Sequence, residues 1–127
     1  MKSRKKKLIP QPKILFDDDG NITEDALKYI RNWSIYKEND QVIKGEFLEP
    51  KRENINALLN YVKKIWTHAD WGFIFLPGDT TLSLHTGGNY NNELIMRYLK
   101  ETWFHVSYWQ MSKRGGHYYY EWQINQS

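Results

Sequence analysis

Two glycine pairs hold the residue types best suited to chemistry in this chain. The first lies in His85-Thr86-Gly87-Gly88-Asn89-Tyr90-Asn91-Asn92-Glu93, the second in Ser112-Lys113-Arg114-Gly115-Gly116-His117. Glycines let a ligand approach the backbone closely. A helix start after Gly88 would add unsatisfied N–H groups and a partial positive charge. The first motif can therefore cradle an anion, with Gly87, Gly88 and Asn92 as donors beside His85, Thr86 and Glu93. In the second, Arg114 can grip phosphate or carboxylate in bidentate fashion. Trp109 and Tyr119 flank it as rings that can stack on a base. His117 completes the candidate ligand-binding set. Each motif also has a purely structural reading, as a strand–helix turn with an Asn cap and as a solvated hairpin tip.

Other chemistries fit less well. The first loop lacks the long glycine span and the Gly-Lys-Ser/Thr ending of a phosphate loop. His68, His85, His105 and His117 follow no zinc spacing, so no metal ligand set is assigned. A two-histidine phosphodiesterase needs two His-x-Thr/Ser units. His105-Val106-Ser107 supplies one, and neither His85-Thr86-Gly87 nor His117-Tyr118-Tyr119 supplies the other. His117 with Glu121 remains an open acid–base alternative, but no catalytic residue is assigned. Asp17-Asp18-Asp19-Gly20-Asn21 resembles a calcium loop only superficially. Position six would be Ile22 and position twelve Lys28, where glycine and glutamate are required. The stretch reads as a turn into a helix. No cofactor motif is present and no cofactor is expected.

The elements that must position these residues follow from periodicity. Thr23 caps a helix carrying Ala26, Leu27, Ile30 and Trp33, with Glu24 and Asp25 in its first turn. Residues 34–49 are ambiguous. Pro50 opens a second helix, whose face is Ile55, Leu58, Leu59, Val62, Ile65 and Trp66, ending near His68-Ala69-Asp70. Residues 71–76 and 80–86 read as strands around a Pro77-Gly78-Asp79 turn, with Leu82 and Leu84 inward. A third helix spans about 91–102. Strands at about 103–111 and 117–124 flank Gly115-Gly116. With that pair as a two-residue loop, Trp109 faces Trp122, Met111 faces Tyr120 and Gln110 faces Glu121. In Tyr118-Tyr119-Tyr120, successive rings alternate faces, so at most two share a platform. The predicted fold is a two-layer α+β domain in the order ααββαββ: a mainly antiparallel four-stranded sheet packed with about three helices.

Charge is unevenly distributed. The chain of 127 residues carries a formal net charge of +3. Residues 1–13 hold Lys2, Arg4, Lys5, Lys6, Lys7 and Lys13 and no acid. Of the 18 basic and 15 acidic residues in the chain, 12 basic and all 15 acidic ones lie beyond them, a net of −3. A basic disordered tail over 1–13 and one domain over 14–127 are expected. Nucleic acid is an expected partner only through that tail. Leu8-Ile9-Pro10 is too short for a signal-peptide core, and no apolar run is long enough to span a bilayer. With no cysteine, disulfides and thiol chemistry are excluded, and a cytoplasmic setting fits. Oligomeric state is not legible here.

Several of these stretches occur together elsewhere. Trp71-Gly72, Leu84-His85-Thr86-Gly87-Gly88, Asn92-Glu93, Tyr108-Trp109-Gln110, Ser112 and Arg114-Gly115-Gly116-His117-Tyr118 resemble a family of small uncharacterised phage and prophage proteins. Asp19-Gly20-Asn21-Ile22-Thr23, with Ile30 and Trp33, fits the start of the same family. Its first loop usually continues Trp-Ser-Gly, where this chain has Asn89-Tyr90-Asn91. The resemblance implies an accessory protein in the cytoplasm of an infected or lysogenic bacterium, with an anti-defence role. The leading expectation is a binding protein for an anionic small ligand such as a nucleotide. The alternatives are an inhibitor of a host protein, and an enzyme acting on phosphodiesters or nucleotides through His85, His117 and Glu93.

Overall fold

The structure, a computed structural model, describes residues 11–32, 35–38, 41–47, 52–75 and 80–122. Most of the basic tail, Trp33, the 77–79 turn and the end of the last predicted strand lie outside the described residues.

Asp17 organises the first turn. Its Oδ1 accepts from the backbone N–H groups of Asp19 and Asn21, both at 2.9 Å, and Phe16 bridges to Ile22. Thr23 then caps α1 (Glu24–Asn32), its Oγ1 accepting from Ala26 N at 3.2 Å. Ala26, Leu27, Tyr29 and Ile30 are buried. The ambiguous 34–49 region contains an antiparallel hairpin of β1 (Ile35–Glu38) and β2 (Gln41–Phe47). In α2 (Arg52–Ile65) the predicted face is the buried one: Ile55, Leu58, Leu59, Val62 and Ile65 are at most 1% exposed.

After α2 the chain departs from the sequence reading. His68 adopts a left-handed conformation at φ 60, and Ala69–Gly72 forms a short helix, α3. Trp71 and Gly72 are therefore helical, and the strand predicted from 71 contracts to β3 (Phe73–Ile74). β4 (Thr81–His85) follows, with Leu82 and Leu84 buried as predicted. Asn89 caps α4 (Tyr90–Leu99), accepting from Asn92 N at 3.1 Å. Asn91 ties α4 to the first turn: its amide accepts from Ile22 N and donates to Gly20 O, both at 3.0 Å.

The strand predicted at 103–111 is corrected. Residues Trp103–Tyr108 form helix α5, and the strand β5 spans only Trp109–Lys113. Trp, Phe, Val and Tyr favour strands locally. Two features override that preference. Thr102 caps the helix, accepting from His105 N at 3.3 Å, and the helix buries Phe104 completely among aromatic rings. Phe104 lies 5.1 Å from Tyr120 and 5.6 Å from Trp122 between ring centroids.

β6 (His117–Glu121) closes a four-stranded antiparallel sheet in the order β3-β4-β6-β5. The last hairpin is also corrected in register. Lys113 pairs with His117, so Arg114, Gly115 and Gly116 make a three-residue loop. An irregularity between Trp109 and Met111 leaves Trp109 opposite Tyr120 and Met111 opposite Tyr119. Both glycines have positive φ, 91 and 81, which such a turn requires. One face of the sheet presents Phe73, Leu82, Leu84 and Tyr120 to the buried core with the helices, and the other carries Ser83, His85, His117 and Tyr119. The domain is α+β with two layers, as expected, but with five helices among the described residues and an added hairpin. Among the described residues no helix is long and apolar enough to cross a membrane.

Candidate functional site

The register between β4 and β6 joins the two glycine motifs. Ser83 lies opposite Tyr119, and His85 opposite His117. The loop that leaves β4 and the hairpin tip that enters β6 are therefore neighbours. A backbone hydrogen bond fixes the joint: Thr86 N donates to Gly116 O at 2.9 Å. Gly116 has φ 81, and a Cβ there would collide with Thr86 Oγ1. Only glycine lets the tip approach this closely.

The two imidazoles meet as cross-strand partners on the same face. Their Nδ1 atoms are 2.7 Å apart and their ring centroids 4.9 Å, edge to face. One Nδ1 donates and the other accepts, so the rings act as one proton-sharing unit. Burial first, and then the positive charge of His117, hold the pKa of His85 below the ordinary imidazole value. The Nε2 of His117 looks toward the hairpin tip, since a Cβ on Gly115 would stand 3.3 Å from it. Tyr119 sits edge-on to His85 at 5.9 Å, with the Lys113 ammonium 5.9 Å from the centre of its ring. Lys113 is also the ladder partner of His117. Arg114 is exposed at the tip and makes no ion pair among the described residues.

The first loop is built from polar contacts. Thr86 is fully buried, and its hydroxyl donates to Glu93 Oε1 at 2.8 Å. Gly88 N donates to the same hydroxyl at 3.4 Å, so this N–H already has a long contact. Glu93 also brings a carboxylate to the first turn of α4, where it offsets the helix dipole. Asn92, expected as an anion donor, is engaged inward. Its side chain is fully buried, accepts from Thr67 N at 2.8 Å, and donates to Thr67 O at 2.9 Å and Thr86 O at 3.3 Å. It anchors the loop instead of facing a ligand.

Trp109 lies elsewhere. It stacks on His105 at 5.7 Å, and its indole N–H donates to Ser112 Oγ at 2.7 Å. A ring packed against the first loop is Trp71, which a Cβ on Gly87 would strike. Trp71 is 47% exposed and stacks on His68 at 6.0 Å. Tyr90, at the start of α4, is 67% exposed. Reading 71–76 as a strand concealed the approach of Trp71 to Gly87. The positive φ of Gly87, 61, is the local trace of that turn, and the sequence shows it only as a glycine.

His85, Thr86, Gly87, Gly88, Glu93, Arg114, His117 and Tyr119 thus gather around one junction, with Lys113, Trp71 and Tyr90 at its margins. The direct contact between the imidazoles does not suit an acid–base pair that must flank a reacting phosphorus atom from opposite sides. Among the described residues no three of His, Asp and Glu converge as a metal site. Comparison of the chain with family models, with curated proteins and with solved structures finds no match in any of the three.

Proposed function

We propose that the junction of the 85–93 loop with the 113–117 hairpin tip binds a small anionic ligand of the nucleotide class. The observation that carries this reading is the meeting of the two glycine motifs at the Thr86–Gly116 hydrogen bond. It gathers Lys113, Arg114 and a protonatable histidine pair beside exposed glycine backbone, on a body that is otherwise net acidic. Local cations on an acidic surface favour a compact anion over a long polyanion. Tyr119, Trp71 and Tyr90 supply rings for a base to stack on, the role first expected of Trp109. In the phage accessory setting that the sequence resembles, such a ligand is a nucleotide signal of the host defence. A thermal-shift screen against mono-, di- and cyclic nucleotides tests the reading. A rise in Tm that Arg114→Gln diminishes is expected, and no shift with any of them refutes it.

A second reading has its own observation. Val106, Trp109 and Met111 are exposed at 78, 45 and 46%, on or beside the edge strand β5. Exposed edge strands pair readily with another chain, and tryptophan is a common interface anchor. A host protein captured there would be lost with Trp109→Ala and retained with Arg114→Gln. Recovery of no stoichiometric partner from bacterial lysate counts against this reading.

A further inference from the structure

We propose that the site selects guanine: a guanine mononucleotide lies along the open face of the sheet, with its phosphate at the hairpin tip, its base against Tyr119 and its donor edge on Glu121. This inference rests on the proposed binding of an anionic nucleotide at the junction and names the base that accompanies the anion.

The helices pack on the face of the sheet that carries Phe73, Leu82, Leu84 and Tyr120. The strand registers order the opposite face in rows. Lys113, His117 and His85 form the first, beside the hairpin tip. Met111, Tyr119, Ser83 and Ile74 form the second, which crosses all four strands. Glu121 and Thr81 form the third. Two backbone hydrogen bonds, Thr86 N to Gly116 O and Trp122 N to Thr80 O, bracket the β4–β6 ladder. They make His85–His117, Ser83–Tyr119 and Thr81–Glu121 its non-hydrogen-bonded pairs, in which facing side chains stand closest. Lys113, Met111, Ile74, Thr81 and Glu121 are exposed, and Tyr119 is half-buried among them.

The rows differ in charge. The first ends in Lys113, which Arg114 follows at the tip, and the third holds the carboxylate of Glu121. Neither Arg114 nor Glu121 makes an ion pair among the described residues. Between the two ends lie one ring and two apolar side chains. The strip is therefore cationic, then aromatic, then anionic. Consecutive rows are about 7 Å apart along a strand, so about 14 Å separates the first from the third. Side chains at both ends take up part of that span and leave room for a single nucleotide. Lys113 stands 5.9 Å from the centre of the Tyr119 ring, so phosphate and base sites adjoin. Tyr119 is the stacking ring because Trp71 is already packed on Gly87 and His68.

Glu121 decides the base. An ionised carboxylate only accepts, so it repels a second phosphate and selects donors. Guanine alone among the common bases sets two adjacent donors, N1–H and the 2-amino group, against two carboxylate oxygens. Its neighbouring O6 can accept from the hydroxyl of Thr81, the cross-strand partner of Glu121. Adenine and cytosine present a ring-nitrogen lone pair to the carboxylate, and uracil presents one donor between two carbonyls. Hypoxanthine has the N1–H but lacks the 2-amino group.

The probes are 5′-GMP, 5′-IMP, 5′-AMP and inorganic phosphate, titrated at constant pH by calorimetry. GMP is expected to bind about tenfold tighter than IMP, the worth of one hydrogen bond to a charged group, and to exceed AMP by more. Glu121 is exposed, so its replacement spares the fold. Glu121→Gln should lower GMP affinity about tenfold and raise that of AMP, because the amide can donate to adenine N1. Tyr119→Ala should weaken all three nucleotides and leave inorganic phosphate unchanged. Arg114→Gln should weaken all four probes and keep the preference for GMP. Methyl carbon-13 spectra locate the base independently of any variant: the Met111 and Ile74 resonances should move with GMP and stay in place with inorganic phosphate. Binding of phosphate alone, equal affinity for the three nucleotides, a GMP preference that survives Glu121→Gln, or methyl resonances unmoved by bound GMP each overturn the guanine assignment and leave the anion site standing. No binding of any of the four probes overturns both.

Discussion

Gly116 and Gly88 both have positive φ, yet they carry different loads. At Gly116 a Cβ would strike Thr86 Oγ1, whereas at Gly88 it would meet open space. Gly88→Ala should cost about 1 kcal/mol, the conformational penalty alone. Gly116→Ala should add an overpacking cost and reach about 2–4 kcal/mol. Urea midpoints of the two variants check the contrast, and equal losses would show that the Thr86–Gly116 joint is not tight. The histidines make a second prediction. Burial lowers the pKa of His85, with His117 contributing, and likewise of His105, with Lys100 contributing. Below an ordinary imidazole pKa of about 6.5, the unfolded chain then binds protons that the folded chain resists. Stability is therefore highest above about pH 6.5 and falls as the pH drops below it. Denaturant midpoints across this window should decline with acid, and His105→Gln should shallow the decline. An acid-insensitive wild type would contradict the lowered pKa of these half-buried rings.

At the scale of elements, the loop between β4 and α4 hangs on one side chain. Asn92 uses its carbonyl on Thr67 N and its amide on Thr67 O and Thr86 O. Asn92→Asp preserves shape but cannot donate to those carbonyls while it is ionised. A loss of about 2–4 kcal/mol is expected from unsatisfied buried groups. Ligand affinity should fall with it, because Thr86 loses its anchor. Chemical denaturation followed by the thermal-shift screen measures both effects. The periodic elements were legible in the sequence. Ile55, Leu58, Leu59, Val62 and Ile65 mark the α2 face, and alternating Leu82 and Leu84 mark the inward side of β4. Elements defined by tertiary packing were not. The α5 stretch has strand-forming residues throughout, and its helix depends on the Thr102 cap and on ring partners 16 to 18 positions ahead of Phe104 in the chain. The His85–His117 contact escaped for a related reason. Each histidine was a candidate alone, but their meeting depends on the β4–β6 register and on a hairpin loop one residue longer than the glycine pair. Trp109 was misplaced by the same register.

At the scale of the molecule, charge and fold divide the work. Residues 1–13 carry six basic groups, and the remainder of the chain has a net charge of −3. Within that remainder, Lys113 and Arg114 stand near the histidine pair because β5, β6 and β4 are consecutive in the sheet. On the proposed function, two kinds of anion attraction would have separate sources. One is diffuse and electrostatic, and its strength depends on the number of charges and on salt. The other is local and geometric, set by the Thr86–Gly116 joint. Deleting residues 1–13 separates them. The full chain should be retained on a polyanion resin at low ionic strength and released by moderate salt, whereas the 14–127 chain should pass through unretained. The same truncated chain should keep its thermal shift with small anions, since none of the junction residues has been removed. Arg114→Gln should do the reverse, weakening the small-anion shift while leaving resin retention nearly intact. Retention that survived the truncation would move the polyanion contact onto the folded body and enlarge the ligand class to nucleic acid. A small-anion shift that vanished with the tail would mean that the tail itself contributes to the site.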